Sequence, residues 1–208
     1  CFMIDDRSFA YVMELAVNKD LFEYAAVKLS EAEAIRLTRE LFAGLEYLHS
    51  NAIVHMDLKR ENCLIMGHGR LAIADFDFAR RQGTPLYGMI GTIDAWAPEI
   101  AAASRDRQLV AGMPAEYTMD VWAAGIIVWE LETGRLRRVR SPVECAALVN
   151  FADPFMPGTT TLSRTVNAAC RRDPAARVMR LGLEEDDEDQ EQRGHDNKRY
   201  GGIRSRSI

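Results

Sequence analysis

Residues 53–66 read IVHMDLKRENCLIM, so that His55, Asp57, Lys59, Glu61 and Asn62 are gathered between two apolar ends. Carboxylates, an ammonium group, an imidazole and an amide at this density can exchange protons, neutralise charge or ligate a cation, and the same residue types also cap turns. Two short apolar runs follow, 63–66 and 71–74, separated by GHGR, and they read as a small hairpin. The first run follows DLKREN and the second precedes Asp75-Phe76-Asp77. A hairpin here would hold two polar clusters side by side.

The surrounding elements have to position those clusters. Residues 9–15, FAYVMEL, have the aromatic and β-branched content of a strand, and NKD at 18–20 supplies a turn and a cap for a short helix from Leu21. Ser30 and Glu33 have capping-box spacing, and Ile35, Leu37, Leu41, Phe42, Leu45 and Leu48 recur at helical steps, which predicts an amphipathic helix to about His49. Residues 79–98 lack periodicity and contain Gly83, Pro85, Gly88 and Gly91, the marks of a long surface segment. A helix is expected over 119–133, apolar almost all round and therefore central, with Gly134 as its stop. Basic RLRRVR and three prolines obscure 135–157, and helical spacing returns over 162–178. There is no internal repeat. From Leu183 the chain turns to EEDDEDQEQ and then to a polar, basic end, which reads as a disordered tail. The expected organisation is one domain over 1–182 and a tail over 183–208.

Composition narrows the function classes. A chain of 208 residues that is 48% hydrophobic and 27% charged suits a single globular domain. Its net charge of -5 gives no general attraction for phosphate backbones, so nucleic acid is not an expected partner. The apolar run VWAAGIIVWEL at 121–131 falls well short of the roughly 20 residues of a membrane span. The four cysteines are scattered with no CxxC pair, and no basic then apolar leader opens the chain, so a reduced, intracellular and cytoplasmic setting is expected.

The spacing H-x-D-L-K-x-E-N over 55–62 resembles the catalytic loop of eukaryotic protein kinases, and further motifs follow in that family's order. Asp75-Phe76-Asp77 resembles DFG; Gly91-Thr92 with Trp96-Ala97-Pro98-Glu99 resembles the end of an activation segment; Asp120-Val121-Trp122 with Gly125 and Glu130 resembles the central helix of the large lobe. Asp173-Pro174 and Arg177 resemble the site of a late arginine that pairs with the segment's glutamate, here Glu99. The fold this implies is α+β and mainly α-helical, a kinase-like large (C-terminal) lobe with short β-hairpins and a truncated small lobe. The function implied is transfer of the γ-phosphate of MgATP to Ser or Thr hydroxyls of a protein substrate, a reaction that relies on positioning and charge neutralisation. By the resemblance Asp57 accepts the hydroxyl proton and Lys59 steadies the γ-phosphate, while Asn62 and Asp75 ligate Mg²⁺. Met13, Glu14 and Ala16 border the adenine, Leu64 lies under it, and Asp20 reaches the ribose or a substrate. Glu61 and Thr92 face the substrate, and His55, Glu99, Asp120 and Arg177 are structural. Asp20 and Glu61 imply an acidic groove that favours Arg or Lys before the acceptor.

The chain also departs from the family's pattern. No Gly-rich loop, VAIK-type lysine or glutamate-bearing helix precedes Phe9, which implies weak or absent transfer by this chain and an apolar face that a partner covers. Met56 stands where an Arg often receives an activation-segment phosphate, and Asp77 replaces the glycine of DFG. These departures keep a second reading open, a pseudokinase-like binding or scaffold module without catalysis.

Overall fold

The computed structural model describes residues 2–5, 8–10, 12–88, 90–104, 112–139, 141, 144 and 158–180, the first two stretches by backbone alone. The expected tail over 183–208 and most of 140–157 lie outside the described residues.

An antiparallel pair, β1 (Phe2–Asp5) and β2 (Ser8–Ala10), opens the described chain. The strand expected over 9–15 is shorter than its composition suggests: Val12, Met13 and Leu15 leave the ladder and stand exposed. The chain then runs beside β4 (Cys63–Ile65), where Asn18 N–H donates to the Ile65 carbonyl and Ile65 N–H to that of Lys19. Asp20 caps α1 (Leu21–Tyr24) by accepting from Glu23 N–H at 2.8 Å. Ser30 likewise caps α2 (Glu31–Ser50) by accepting from Glu33 N–H. The reciprocal half of that capping box is replaced, because the Glu33 carboxylate binds Arg36 and Tyr24 instead.

The expected hairpin forms from β4 and β5 (Leu71–Ile73), with Cys63 opposite Ile73. β3 (Ile53–Val54) pairs with β6 (Arg80–Arg81), and β7 (Pro85–Leu86) with β8 (Met113–Pro114). The segment 79–98 is less superficial than its lack of periodicity implies, since Leu86, Ile90, Trp96 and Ala97 are buried. Pro98 sits in the first turn of α3 (Pro98–Ala103), where its missing N–H costs nothing.

The core is organised around α4 (Tyr117–Thr133), which is buried on most of its circumference and ends at Gly134 in left-handed conformation. It packs against α2 and against α5 (Thr161–Ala169). The helix expected over 162–178 stops at Ala169; Asp173 then caps a short 3₁₀ turn at Pro174–Ala176, and Pro174 keeps the helix from resuming through it because it cannot donate to Cys170. No helix among the described residues is long and apolar enough to cross a membrane.

α4 and α5 approach at a glycine. A Cβ on Gly125 would lie within 2.9 Å of Ala169 Cβ and closer still to Cys170 Sγ. Gly125→Ala should therefore cost about 1–3 kcal/mol by forcing the helices apart. Urea denaturation would show it, and adding Cys170→Ala should recover part of the loss, because the two changes share one contact.

Candidate active site

The polar loop is held from beneath by Asp120, which projects from α4 and is 1% exposed. Its Oδ2 accepts from His55 N–H at 2.8 Å and lies 3.0 Å from His49 Nε2; its Oδ1 accepts from Met56 N–H at 3.0 Å. Charge-assisted bonds of this kind fix a backbone firmly. They hold Met56 at φ 69°, an unusual conformation for a side chain of its size, immediately before Asp57. Asp57 N–H donates to His55 Nδ1 at 3.3 Å, so the ring carries its proton on Nε2 and donates it to the Ala74 carbonyl at 3.0 Å. His55 thus ties the loop to the end of β5.

Asp57, Lys59, Asn62 and Thr92 form one hydrogen-bonded cluster. Lys59 Nζ donates to Asp57 Oδ2 and to Thr92 Oγ1, each at 2.9 Å. Asn62 Nδ2 donates to the Asp57 carbonyl at 2.8 Å and to its Oδ2 at 3.2 Å. Asp57 is 3% exposed, and its Oδ1 has no hydrogen-bond partner among the described residues. Gly91 closes over this loop at φ 57°, where a Cβ would meet the Met56 carbonyl at 2.3 Å and Asp57 Oδ1 at 3.0 Å. Only glycine fits so near the carboxylate.

Asn62 and Asp75 flank the β4–β5 hairpin on its two strands. Ala74 N–H donates to the Asn62 carbonyl at 2.9 Å, which brings Asp75 beside Asn62. Asp75 is exposed and left-handed at φ 63°, a second strained residue at the site. Asn62 spends its amide hydrogens on Asp57, so its side-chain oxygen remains for another partner. One carboxylate and one amide oxygen suit Mg²⁺, which takes few protein ligands and completes its shell with water and phosphate. The donor set fits that ion. Asp77 has no positive φ, so the side chain in place of a glycine imposes no backbone strain; its N–H points at Asp75 Oδ1, 3.4 Å away.

At the edge of the β4–β5 hairpin, Asp20 bridges to Leu64, so these two are brought together. One Asp20 oxygen is already spent on the cap of α1. Ala16 offers its carbonyl to Lys19 N–H, while Met13 and Glu14 stand exposed away from the hydrogen-bonded cluster. Phe76 and Phe78 are exposed as well. Glu61 is exposed at the rim of a cleft that also borders Lys59 and Thr92.

Farther out, Arg177 and Glu99 meet in a bidentate pair with both contacts at 2.7 Å. The buried guanidinium also donates to the carbonyls of Thr118 and Arg171 and lies over Trp122. This joins α3 to α4 and fixes the end of the segment that carries Thr92. Met56, where an arginine would reach outward, turns into the core instead and lines a small cavity with Trp96, Ile100 and Met119.

Several residues at the site escaped the sequence reading. His49 supports Asp120 but looks like an ordinary helix-end residue. Arg60 is buried and donates to the carbonyls of Leu21 and Phe22. Asp94 and Glu130 receive the basic run: Val139 N–H donates to Asp94 Oδ1, Arg137 N–H donates to Glu130 Oε1, and the Arg137 guanidinium binds the Asp94 carbonyl. The signal for this was the RLRRVR cluster itself, which needed acidic partners.

Residues 2–144 match the protein kinase domain, and the chain belongs to that family. Among its relatives are the serine/threonine-protein kinase SBK1 of Danio rerio, 35% identical over 62% of this chain and 34% of that one, and the serine/threonine-protein kinase GIN4 of Saccharomyces cerevisiae, 38% identical over 60% and 11%. The SNF1-related protein kinase catalytic subunit alpha KIN12 of Arabidopsis thaliana is 34% identical over 73% of this chain and 28% of that one. The chain spans about a third or less of the length of these relatives.

Burial pushes the Glu130 carboxyl up to about 7, partly offset by the Arg137 N–H bond and by Arg60. A carboxyl whose folded pKa is raised favours folding below its unfolded value and loses that contribution as pH rises through the folded value. Between about pH 4.5 and pH 7 the protein should therefore lose stability relative to Glu130→Gln, with no further divergence above pH 8. Urea midpoints of the two proteins across that range measure the difference.

Proposed function

We propose that residues 1–182 form the large-lobe catalytic face of a Ser/Thr protein kinase, with 183–208 as an appended tail. The observation that carries this reading is the Asp57 carboxylate. One oxygen is held by Lys59 and Asn62, and the other is buried without a donor among the described residues. A buried acceptor without a donor is costly, and a substrate hydroxyl would satisfy it.

In this reading Asp57 Oδ1 accepts the proton of the Ser or Thr hydroxyl, which is how a positioned base makes an alcohol oxygen nucleophilic. Lys59, already shared between Asp57 and Thr92, orients the carboxylate and presents positive charge where the transferred phosphoryl oxygens gather. MgATP supplies the transferable phosphoryl group and the cation that neutralises its charge. Asn62 and Asp75 would hold the Mg²⁺; Leu64, Asp20, Met13, Glu14 and Ala16 would border the nucleotide. Thr92 and Glu61 would face the protein substrate. The exposed apolar side chains Val12, Met13, Leu15, Phe76 and Phe78 are the face that a covering partner would bury.

The second reading, a binding or scaffold module of the same fold, is favoured by Asp77, which adds a carboxylate beside Asp75 where the family's motif has glycine. Labelled γ-phosphate transfer from MgATP to a Ser/Thr peptide library separates the two. Catalysis predicts Mg²⁺-dependent transfer that falls about 10²–10⁴-fold in Asp57→Asn. Binding alone predicts the same background for both proteins.

Met56 turns inward and offers no guanidinium to an activation-segment phosphate. Thr84→Ala and Tyr87→Phe should therefore leave the transfer rate within about twofold of the parent, since neither side chain lies in the core or makes a hydrogen bond among the described residues and such substitutions change little. A large loss in the same assay would reveal another phosphate receptor.

A further inference from the structure

Asp75 has little of its own to hold it. It is exposed, and its one side-chain hydrogen bond among the described residues is the 3.4 Å contact from Asp77 N–H. Its place beside Asn62 therefore comes from the backbone, through the bond from Ala74 N–H to the Asn62 carbonyl and through the hairpin that carries it. A hairpin of two three-residue strands is marginal by itself, so its position depends on what it is fastened to.

β4 is fastened on one side by the bonds between Ile65 and the backbone of Asn18 and Lys19. β5 is fastened on the other side by α2, where Glu40 Oε2 accepts from Leu71 N–H at 2.6 Å and Arg36 Nη2 donates to the Gly69 carbonyl at 2.9 Å. Resting on the kinase reading, we infer that Glu40, held by Arg36, is a positioning residue for the metal-side pair and sets where β5 delivers Asp75 against Asn62.

The clamp is stiff. Arg36 lays a fork on Glu33, with Nε to Oε2 at 2.9 Å and Nη2 to Oε1 at 2.6 Å, and its Nη1 reaches Glu40 Oε1 at 2.7 Å. Glu33 is steadied in turn by the Tyr24 hydroxyl at 3.0 Å. Both oxygens of Glu40 are thus spent, one on the guanidinium and one on the hairpin, and charge-assisted bonds of this kind are directional. The ion pairs are about one-third exposed and add little stability, so their effect is on geometry. The turn they grip is strained, since His68 is left-handed at φ 62°. From Leu71 to Ala74 is about 10 Å of extended chain. Ala74 is the pivot at the site end, because its carbonyl also accepts from His55 Nε2 at 3.0 Å. With the α2 end released, the hairpin turns about Ala74, and Asp75 next to it moves off Asn62.

The test compares the parent with Glu40→Ala and Glu40→Gln. Glutamine keeps an oxygen for Leu71 N–H, and alanine keeps none. Amide hydrogen exchange of Ala74 reads the site end of the hairpin, three residues from the substitution's contact. It should be about tenfold faster in Glu40→Ala and within about twofold of the parent in Glu40→Gln, the scale of one bond to a charged group. Gly125→Ala, which loosens the α4–α5 contact instead, should leave Ala74 within about twofold. In phosphotransfer, Glu40→Ala should raise the Mg²⁺ concentration for half-maximal rate about tenfold, with the rate at saturating Mg²⁺ held within about threefold and both values recovered in Glu40→Gln. Unchanged Ala74 exchange in Glu40→Ala, equal acceleration in Gly125→Ala, or an Mg²⁺ dependence that does not move would overturn the inference. A parent without Asp57-dependent transfer would sink the kinase reading instead, and Ala74 exchange would still decide the role of Glu40.

Discussion

Asp120 is a carboxylate buried inside α4, an apolar helix packed on most of its circumference, and the arrangement of the site follows from where its oxygens point. Burying a charge among α4's aliphatic residues is tolerable only because three donors converge on it, from His49, His55 and Met56. Two of those donors are consecutive backbone amides of the polar loop. The loop is thereby pinned to the core through its main chain, which leaves the side chains of Asp57, Lys59 and Asn62 free to converge on one another. Met56 can hold its left-handed conformation because both neighbouring amides are restrained. The same anchor explains the closeness of Gly91: a loop fixed so tightly gives no room, and the segment crossing it has to dispense with a Cβ.

Charge at this site is arranged in layers. The innermost layer, Asp57 with Lys59 and Asn62, is nearly closed to solvent and has one acceptor left over. The next is Asn62, buried with a side-chain oxygen not spent on Asp57, and the exposed Asp75 beside it. The outermost is the cleft where Asp94 and Glu130 hold the chain after α4 by its amides. Each layer is fastened to a different element, so the site depends on α4, the β4–β5 hairpin and the segment before α3 being docked together.

Much of this was legible in the sequence. The types and spacing of His55, Asp57, Lys59, Asn62 and Asp75 were enough to place them in one constellation, because short motifs fix local geometry. Helices α2 and α4 were legible for another reason: apolar side chains recur at helical steps in one and fill nearly every position in the other. Legibility failed where long-range partners decide. Residues 9–15 are composed like a strand, yet Val12 to Leu15 find no ladder among the described residues and the strand ends at Ala10. Leu162 to Val178 keep helical spacing, yet Pro174 and the need to aim Arg177 at Glu99 end the helix early. The burial of Arg60 had no local signal at all, since its acceptors are carbonyls of α1 almost forty residues away, at a separation of 38 and 39.

The Glu99–Arg177 pair also sets an order of events in time. Its partners are 78 residues apart, and Asp120 lies 65 residues from His55. A chain emerging from the ribosome presents the polar loop long before α4 exists to clamp it, and α4 before Arg177 can seal it to α3. Contacts of such sequence separation pay their loop-closure entropy late, after local helices and the β4–β5 hairpin have formed. The polar cluster must therefore spend part of its early life as a flexible loop, and becomes a rigid constellation only with the last described turn of the chain in place.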